Sequence, residues 1–168
     1  ADIQRRGWAM ECRINAEDPF RGFLPSTGRL VRYQPPETSM EAAMPMPESG
    51  GVRVDTGVYE GGEIPMYYDS MIAKLIVHGK DRHEAIAKMR EALNGFVIRG
   101  ISSNIPFQAA LLAHPKFVSG DFNTGFIAEH YAHGFRAEDV AHQDPHFLQA
   151  LAAHLHMFYR NRASGLQG

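Results

Sequence analysis

The chain has a single cysteine, a single tryptophan and no surplus of either charge, and each shortage removes a class of function. One thiol, Cys12, cannot close a disulfide within the chain or build a multi-cysteine zinc cage. Its setting among alternating apolar residues makes it a small buried hydrophobe rather than a nucleophile. With 17 Lys and Arg against 19 Asp and Glu, the net charge is -2, and no block of like charge forms a basic arm. A nucleic-acid partner is therefore not expected. No apolar run approaches the roughly 20 residues of a membrane-spanning helix, and Ala1-Asp2-Ile3-Gln4-Arg5-Arg6 lacks a signal-peptide core. Gly57, Gly61 and Gly62 fit neither the GxGxxG nor the Walker spacing and read as turn glycines. There is no Gly-x-Ser-x-Gly elbow. The opening without Met and the abrupt ending Ala163-Ser164-Gly165-Leu166-Gln167-Gly168 read as cuts from a longer polypeptide.

What is present is enough apolar content, 44%, for one core and a small appendage. In Trp8-Ala9-Met10-Glu11-Cys12-Arg13-Ile14-Asn15-Ala16, alternation places Trp8, Met10, Cys12, Ile14 and Ala16 on one side, and Glu11, Arg13 and Asn15 on the other. A turn at 23–28 leads to a strand over 29–33, and the proline-rich stretch 34–51 reads as a mobile loop or insertion. Val52-Arg53-Val54-Asp55 alternates again. Met71-Ile72-Ala73-Lys74-Leu75-Ile76-Val77 has the nearly unbroken apolar character of a central strand. The period then changes: Asp81, with Glu84 three residues on, caps a helix whose apolar face is Ala85, Ile86, Met89, Ala92, Leu93 and Phe96. A returning strand follows at 96–100. Ser103 or Asn104 caps a second helix, with Phe107, Ala110 and Leu111 inward, and His114-Pro115 stops it. A short helix over 124–131 precedes a final helix over 145–162 with Leu148, Leu151, Leu155 and Phe158 as its stripe.

The nine histidines include pairs at His130 and His133, His142 and His146, and His154 and His156. Pro145 interrupts the one helical pair and no carboxylate falls in register, so solvated histidines are the ordinary reading and no metal site is expected. Arg13, Arg53, Asp69 and Lys74 read as polar groups embedded in strands. Taken singly, each is accounted for by water or a structural ion pair. Pattern alone therefore reaches an α+β module and stops short of an activity.

The residue strings go further. Glu11-Cys12-Arg13-Ile14-Asn15-Ala16-Glu17-Asp18-Pro19, Phe23-Leu24-Pro25-Ser26, Tyr67-Tyr68-Asp69-Ser70-Met71-Ile72-Ala73-Lys74-Leu75 and Gly100-Ile101-Ser102-Ser103-Asn104 occur in order. Together they resemble the C-terminal lobe of biotin carboxylase, from about residue 7 to 131. Asp55-Thr56-Gly57-Val58-Tyr59-Glu60-Gly61-Gly62, the insertion and His114-Pro115-Lys116-Phe117 are most similar to acyl-CoA carboxylase α subunits, propionyl-CoA carboxylase among them. The resemblance implies a mostly antiparallel sheet with helices packed on one side, spanning 1–134. A helical linker, 135–168, would lead toward a subunit-contact domain.

It also implies ATP- and bicarbonate-dependent carboxylation of biotin held on a carrier domain outside this chain. Arg13 matches the family arginine that stabilises negative charge on the ureido oxygen of biotin. Asp69, Glu11 and Asn15 are supporting candidates near the biotin site, and Arg53 and Lys74 match structural or interface positions. ATP, magnesium and bicarbonate would be bound by an N-terminal ATP-grasp part of the same subunit, so the 168 residues alone should be inactive. The implied partners are that N-terminal part, the carrier domain, a carboxyltransferase beta subunit and a second copy of the chain. The expected compartment is the bacterial cytoplasm or the mitochondrial matrix. The competing reading is a non-catalytic oligomerisation module.

Overall fold

Alternation at the start of the chain produces strand β1, Trp8–Asn15, which pairs antiparallel with the long apolar strand expected at the centre. The structure is a computed structural model describing residues 6–39, 50–66, 69–140 and 145–164. After β1 come β2 (Glu17–Asp18), a 3-10 turn at Pro19–Arg21, β3 (Leu24–Pro25), β4 (Gly28–Arg29) and β5 (Arg32–Gln34). Then follow β6 (Gly51–Thr56), β7 (Glu63–Ile64), β8 (Met71–Gly79), α1 (Arg82–Asn94) and β9 (Val97–Arg99). The helices α2 (Ile105–Ala113), α3 (Pro115–Ser119), α4 (Phe126–His130) and α5 (Pro145–Ser164) complete the chain, with a 3-10 turn at Ala137–Asp139 before α5.

The main sheet has the order β1-β8-β6, and β2-β3, β4-β7 and β5-β9 form two-stranded ladders. All described pairings are antiparallel. Ala73, Leu75 and Val77 of β8 are buried on the face that meets α1, whose own stripe of Ala85, Ile86, Met89, Ala92 and Leu93 is buried in return. Strand and helix approach closely because residue 79 is glycine: a Cβ there would lie 2.8 Å from the Ala85 backbone nitrogen. Asp81 accepts from the Glu84 N–H at 2.9 Å and starts α1 as the spacing predicts.

Several expectations are corrected. The strand over 29–33 is two strands, because Gly28–Arg29 pairs with β7 while Arg32–Gln34 pairs with β9. The fully buried Leu30 lies at the switch, its N–H donating to Gly62 O. The strand after α1 therefore pairs with β5 and does not return to the main sheet. His114-Pro115 ends α2 but at once begins α3, since His114 Nδ1 accepts from the Lys116 N–H at 3.2 Å. Leu112 rather than Leu111 is buried on α2. Trp8 is 47% exposed while Met10 and Cys12 are partly buried against the core and Ile14 fully so, and the packing of the inward side of β1 tightens toward Ile14. Residues 40–49 of the insertion, Tyr67, Tyr68 and His142 lie outside the described residues. The α5 stripe of Leu148, Leu151, Leu155 and Phe158 is exposed. No helix among the described residues is long and apolar enough to cross a membrane.

Candidate functional site

The register of the main sheet gathers most of the charged candidates on one face. Arg13 stands opposite Lys74, and Lys74 opposite Asp55. One step along, Glu11, Ile76 and Arg53 form the next row. Directly opposed residues share a face, so these side chains lie on the side of the sheet away from α1. Within this group Arg53 is already committed: its Nε and Nη2 donate to the two oxygens of Asp55 at 2.8 and 2.6 Å. That hydrogen bonding, with the nearby charges of Arg53 and Lys74, holds the Asp55 carboxyl below the usual aspartate range.

Arg13 is different. Its side chain is 68% exposed, and its Nε reaches Glu11 Oε1 at 3.5 Å, a long contact that solvent screens. The guanidinium is thus a permanent charge open to whatever faces this side of β1. Beyond it, Asn15 Nδ2 donates to Glu17 Oε1 at 3.2 Å, and Ser70 Oγ donates to the same oxygen. Asp69 is exposed, its Oδ1 accepting from the Met71 N–H at 3.0 Å. Its neighbour Ser70 ties this loop to the end of β1 by accepting from the Ala16 N–H at 2.7 Å.

A cavity of about 340 Å3 opens at the β1 edge against α2, lined by Arg13, Glu11 and Gln108 and floored by Met10, Leu111 and Phe117. Such a mix of an apolar floor and a few polar groups is suited to a small organic ring carrying one polar edge. Two buried acceptors beside this strand, Asn15 Oδ1 and Gln108 Oε1, have no hydrogen-bond partner. The lining fits a flat ureido group, with the Arg13 guanidinium as donor to its oxygen and an apolar surface for its ring. Cys12 also lines the cavity. Burial first, and Glu11 second, push its thiol up to about 12, which favours the protonated form over the nucleophilic thiolate.

Away from this face, His114 and His130 pack with ring centroids 4.6 Å apart, a pairing that sequence spacing does not reveal. Burial, His130 and Lys116 lower the His114 pKa. No cluster of three His, Cys, Asp or Glu side chains able to hold a metal ion occurs among the described residues. Sequence reasoning also missed Asn104 and Gln108 as neighbours of Arg13. Both donate to the Arg13 carbonyl, at 3.0 and 2.6 Å. Asn104 had the helix-cap signal alone, and nothing local to residue 104 points ninety residues back to β1.

The chain matches the biotin carboxylase C-terminal domain family over residues 11–129. It is 47% identical over 178 aligned residues to the propionyl-CoA carboxylase alpha chain of Ruegeria pomeroyi, covering 99% of this chain and 26% of that one. Biotin carboxylase 1 of Bacillus subtilis is 52% identical over 126 residues, covering 75% of this chain and 26% of that protein. The solved biotin carboxylase domain of a thermophilic 2-oxoglutarate carboxylase, bound to bicarbonate, is similar with a TM-score of 0.67. Its identity is 39%, over 76% of this chain and 26% of that one. The chain thus spans about a quarter of the length of these relatives. The antiparallel fold and the match over most of its length lead to one assignment: the chain belongs to the biotin carboxylase C-terminal domain family of biotin-dependent carboxylases.

Proposed function

We propose that this domain forms one wall of the biotin site in the biotin carboxylase component of an acyl-CoA carboxylase, with propionyl-CoA as the acyl substrate of the whole enzyme. The observation that carries the reading is the exposed guanidinium of Arg13, on a fixed strand beside a cavity suited to the ureido ring. The subfamily is supported by coverage. Similarity to the propionyl-CoA carboxylase alpha chain runs through 99% of the chain, α5 included, whereas that to Biotin carboxylase 1 takes in 75%.

In this reading ATP and bicarbonate, bound with magnesium by an N-terminal ATP-grasp part of the subunit, supply the activated carboxyl group. A urea nitrogen is a poor nucleophile; bound biotin would have to pass its N–H proton to a base in the rest of the enzyme, and the negative charge would then be spread onto the ureido oxygen. Arg13 stabilises that charge without any change in its own protonation, as an oxyanion-hole donor does. Glu11 lies beside the guanidinium at 3.5 Å without fixing it, Asn15 contributes a polar edge, and Asp69 borders the site. Arg53 and Lys74 act in structure or at a subunit contact. Residues 1–134 make up the domain, and 135–168 link it to the part that meets a carboxyltransferase beta subunit. The biotin arrives on a carrier domain, and the enzyme works in the bacterial cytoplasm or the mitochondrial matrix. Alone, the 168 residues are inactive, because one electrostatic group cannot replace the nucleotide and bicarbonate machinery.

The other reading, a non-catalytic oligomerisation module, draws on the exposed apolar stripe of α5. Arg13→Ala in the full-length subunit separates the two: lost biotin carboxylation with assembly intact supports the catalytic wall, and full turnover with lost assembly supports the module. Bicarbonate-dependent ATP cleavage by the isolated 168 residues would contradict the expected inactivity.

A further inference from the structure

We infer that Asn104 and Gln108 of α2 are positioning residues for Arg13, clamping the β1 backbone so that the guanidinium is presented from a fixed point. This rests on the role proposed for Arg13 and adds a device that the role requires. Among the described residues Arg13 lies on an edge strand: β1 pairs with β8 on one side and has no described strand on the other. Immediately after it the register slips, Ile14 pairing with Ala73 but Asn15 with Met71. An edge strand at a bulge is a place where backbone position is weakly held.

The N-terminal end of α2 closes this weak point. Asn104 Nδ2 and Gln108 Nε2 both donate to the Arg13 carbonyl, at 3.0 and 2.6 Å. Asn104 Oδ1 accepts from the Asn15 N–H at 2.9 Å, and the Asn104 N–H donates to the Asn15 carbonyl at 3.1 Å. Residues 104 and 108 are four apart and share a helix face, which lets them reach one carbonyl. Asn104 also forgoes its ordinary task. Asparagine at this position normally accepts from a backbone N–H of its own helix, yet Asn104 makes no side-chain cap bond. Its donor and its acceptor go to β1 instead, and it is only 8% exposed. A buried amide with both ends satisfied by one distant strand is a rigid constraint between the two elements.

The constraint matters because the far end of Arg13 is loosely held, with its long Glu11 contact and high exposure. The location of its charge is therefore set from the backbone outward. Electrostatic catalysis depends on such preorganisation, and a misplacement of about 1 Å can lower a rate about 100-fold.

The test uses the full-length carboxylase subunit with Asn104→Ala and Gln108→Met, each alone and combined with Arg13→Ala. It measures kcat for carboxylation of free biotin, the KM for ATP, bicarbonate-dependent ATP cleavage without biotin, and Tm. The expected result is a kcat lowered about 10- to 100-fold by Asn104→Ala and by at least about threefold by Gln108→Met. The KM for ATP and the biotin-independent ATP cleavage stay at wild-type values, and neither substitution slows the Arg13→Ala enzyme further. A structural role alone would lower all activities together and act equally in both backgrounds, which overturns the inference. Should Asn104→Ala fail to fold, Gln108→Met, at a half-buried position, decides the matter. Wild-type kcat in Gln108→Met, with Arg13→Ala inactive, overturns the clamp but leaves the role of Arg13 standing. Wild-type kcat in Arg13→Ala overturns both.

Discussion

Replacing Leu75 and Ile76 separately by alanine tests which face of the main sheet is core and which is free to carry chemistry. Leu75 is fully buried, with Cys12 and Val54 as its cross-strand partners on the face beneath α1. Neighbours of this kind cannot collapse into the space a leucine leaves, and such truncations destabilise by about 2.7–5 kcal/mol. Against a domain stability of about 5–15 kcal/mol, that is a large fraction. Ile76 points to the opposite face between Glu11 and Arg53 and is half-buried. Its truncation encloses no void, and the loss should be about 1 kcal/mol. Urea denaturation of the two variants, read from the midpoints at a common slope, should show a gap of at least about 2 kcal/mol. Equal losses, or a greater loss at Ile76, would mean that the face carrying Arg13 is buried and would remove the basis for the site.

Arg82 donates to the Phe117 and Val118 carbonyls at the end of α3, and its guanidinium lies 5.2 Å from the centre of the Phe117 ring. Arg82→Ala should destabilise by about 1.5–3 kcal/mol in the same assay, and Arg82→Lys should recover only part of it, since one ammonium nitrogen lacks the rigid two-nitrogen fork and the flat face that lies on Phe117. His114 has a lowered pKa in the fold, so between its folded value and the ordinary value near 6.5 the unfolded chain binds more protons. Stability should therefore fall as pH drops below about 6.5. His114→Asn, which keeps an acceptor for the Lys116 N–H, should flatten that slope; an unchanged slope contradicts the assignment.

Much of this fold is legible in the sequence wherever the signal is local. The α1 stripe and its Asp81 cap, the central strand at β8 and the two-sided pattern of β1 follow from periodicity, because each element is amphipathic against one neighbour. Pairing choices are not local. Nothing in Arg29-Leu30-Val31-Arg32-Tyr33 says that its ends belong to different ladders, and the break is set by contacts with Gly62 and Arg99. Trp8 has the right parity to be buried but sits at the end of β1 and is left 47% exposed by the described residues. At the site, the position of Arg13 on the polar face is readable from alternation, while the role proposed for it rests on ordered motifs. The contribution of α2 was not readable. Asn104 has a cap signature that the tertiary structure overrides, as a constraint from a distant strand can.

The most direct test of the role of Arg13 is the initial rate of biotin carboxylation by the full-length Arg13→Ala subunit, with and without added guanidinium at tens of millimolar. Removal of one oxyanion-type donor should lower kcat by about 100- to 1,000-fold. Because the side chain is exposed and weakly tied, Tm should hardly move. Small guanidinium ions should restore part of the rate in a saturable way. An unchanged rate, or a loss that follows a fall in Tm and is not recovered by guanidinium, would contradict the electrostatic role of Arg13.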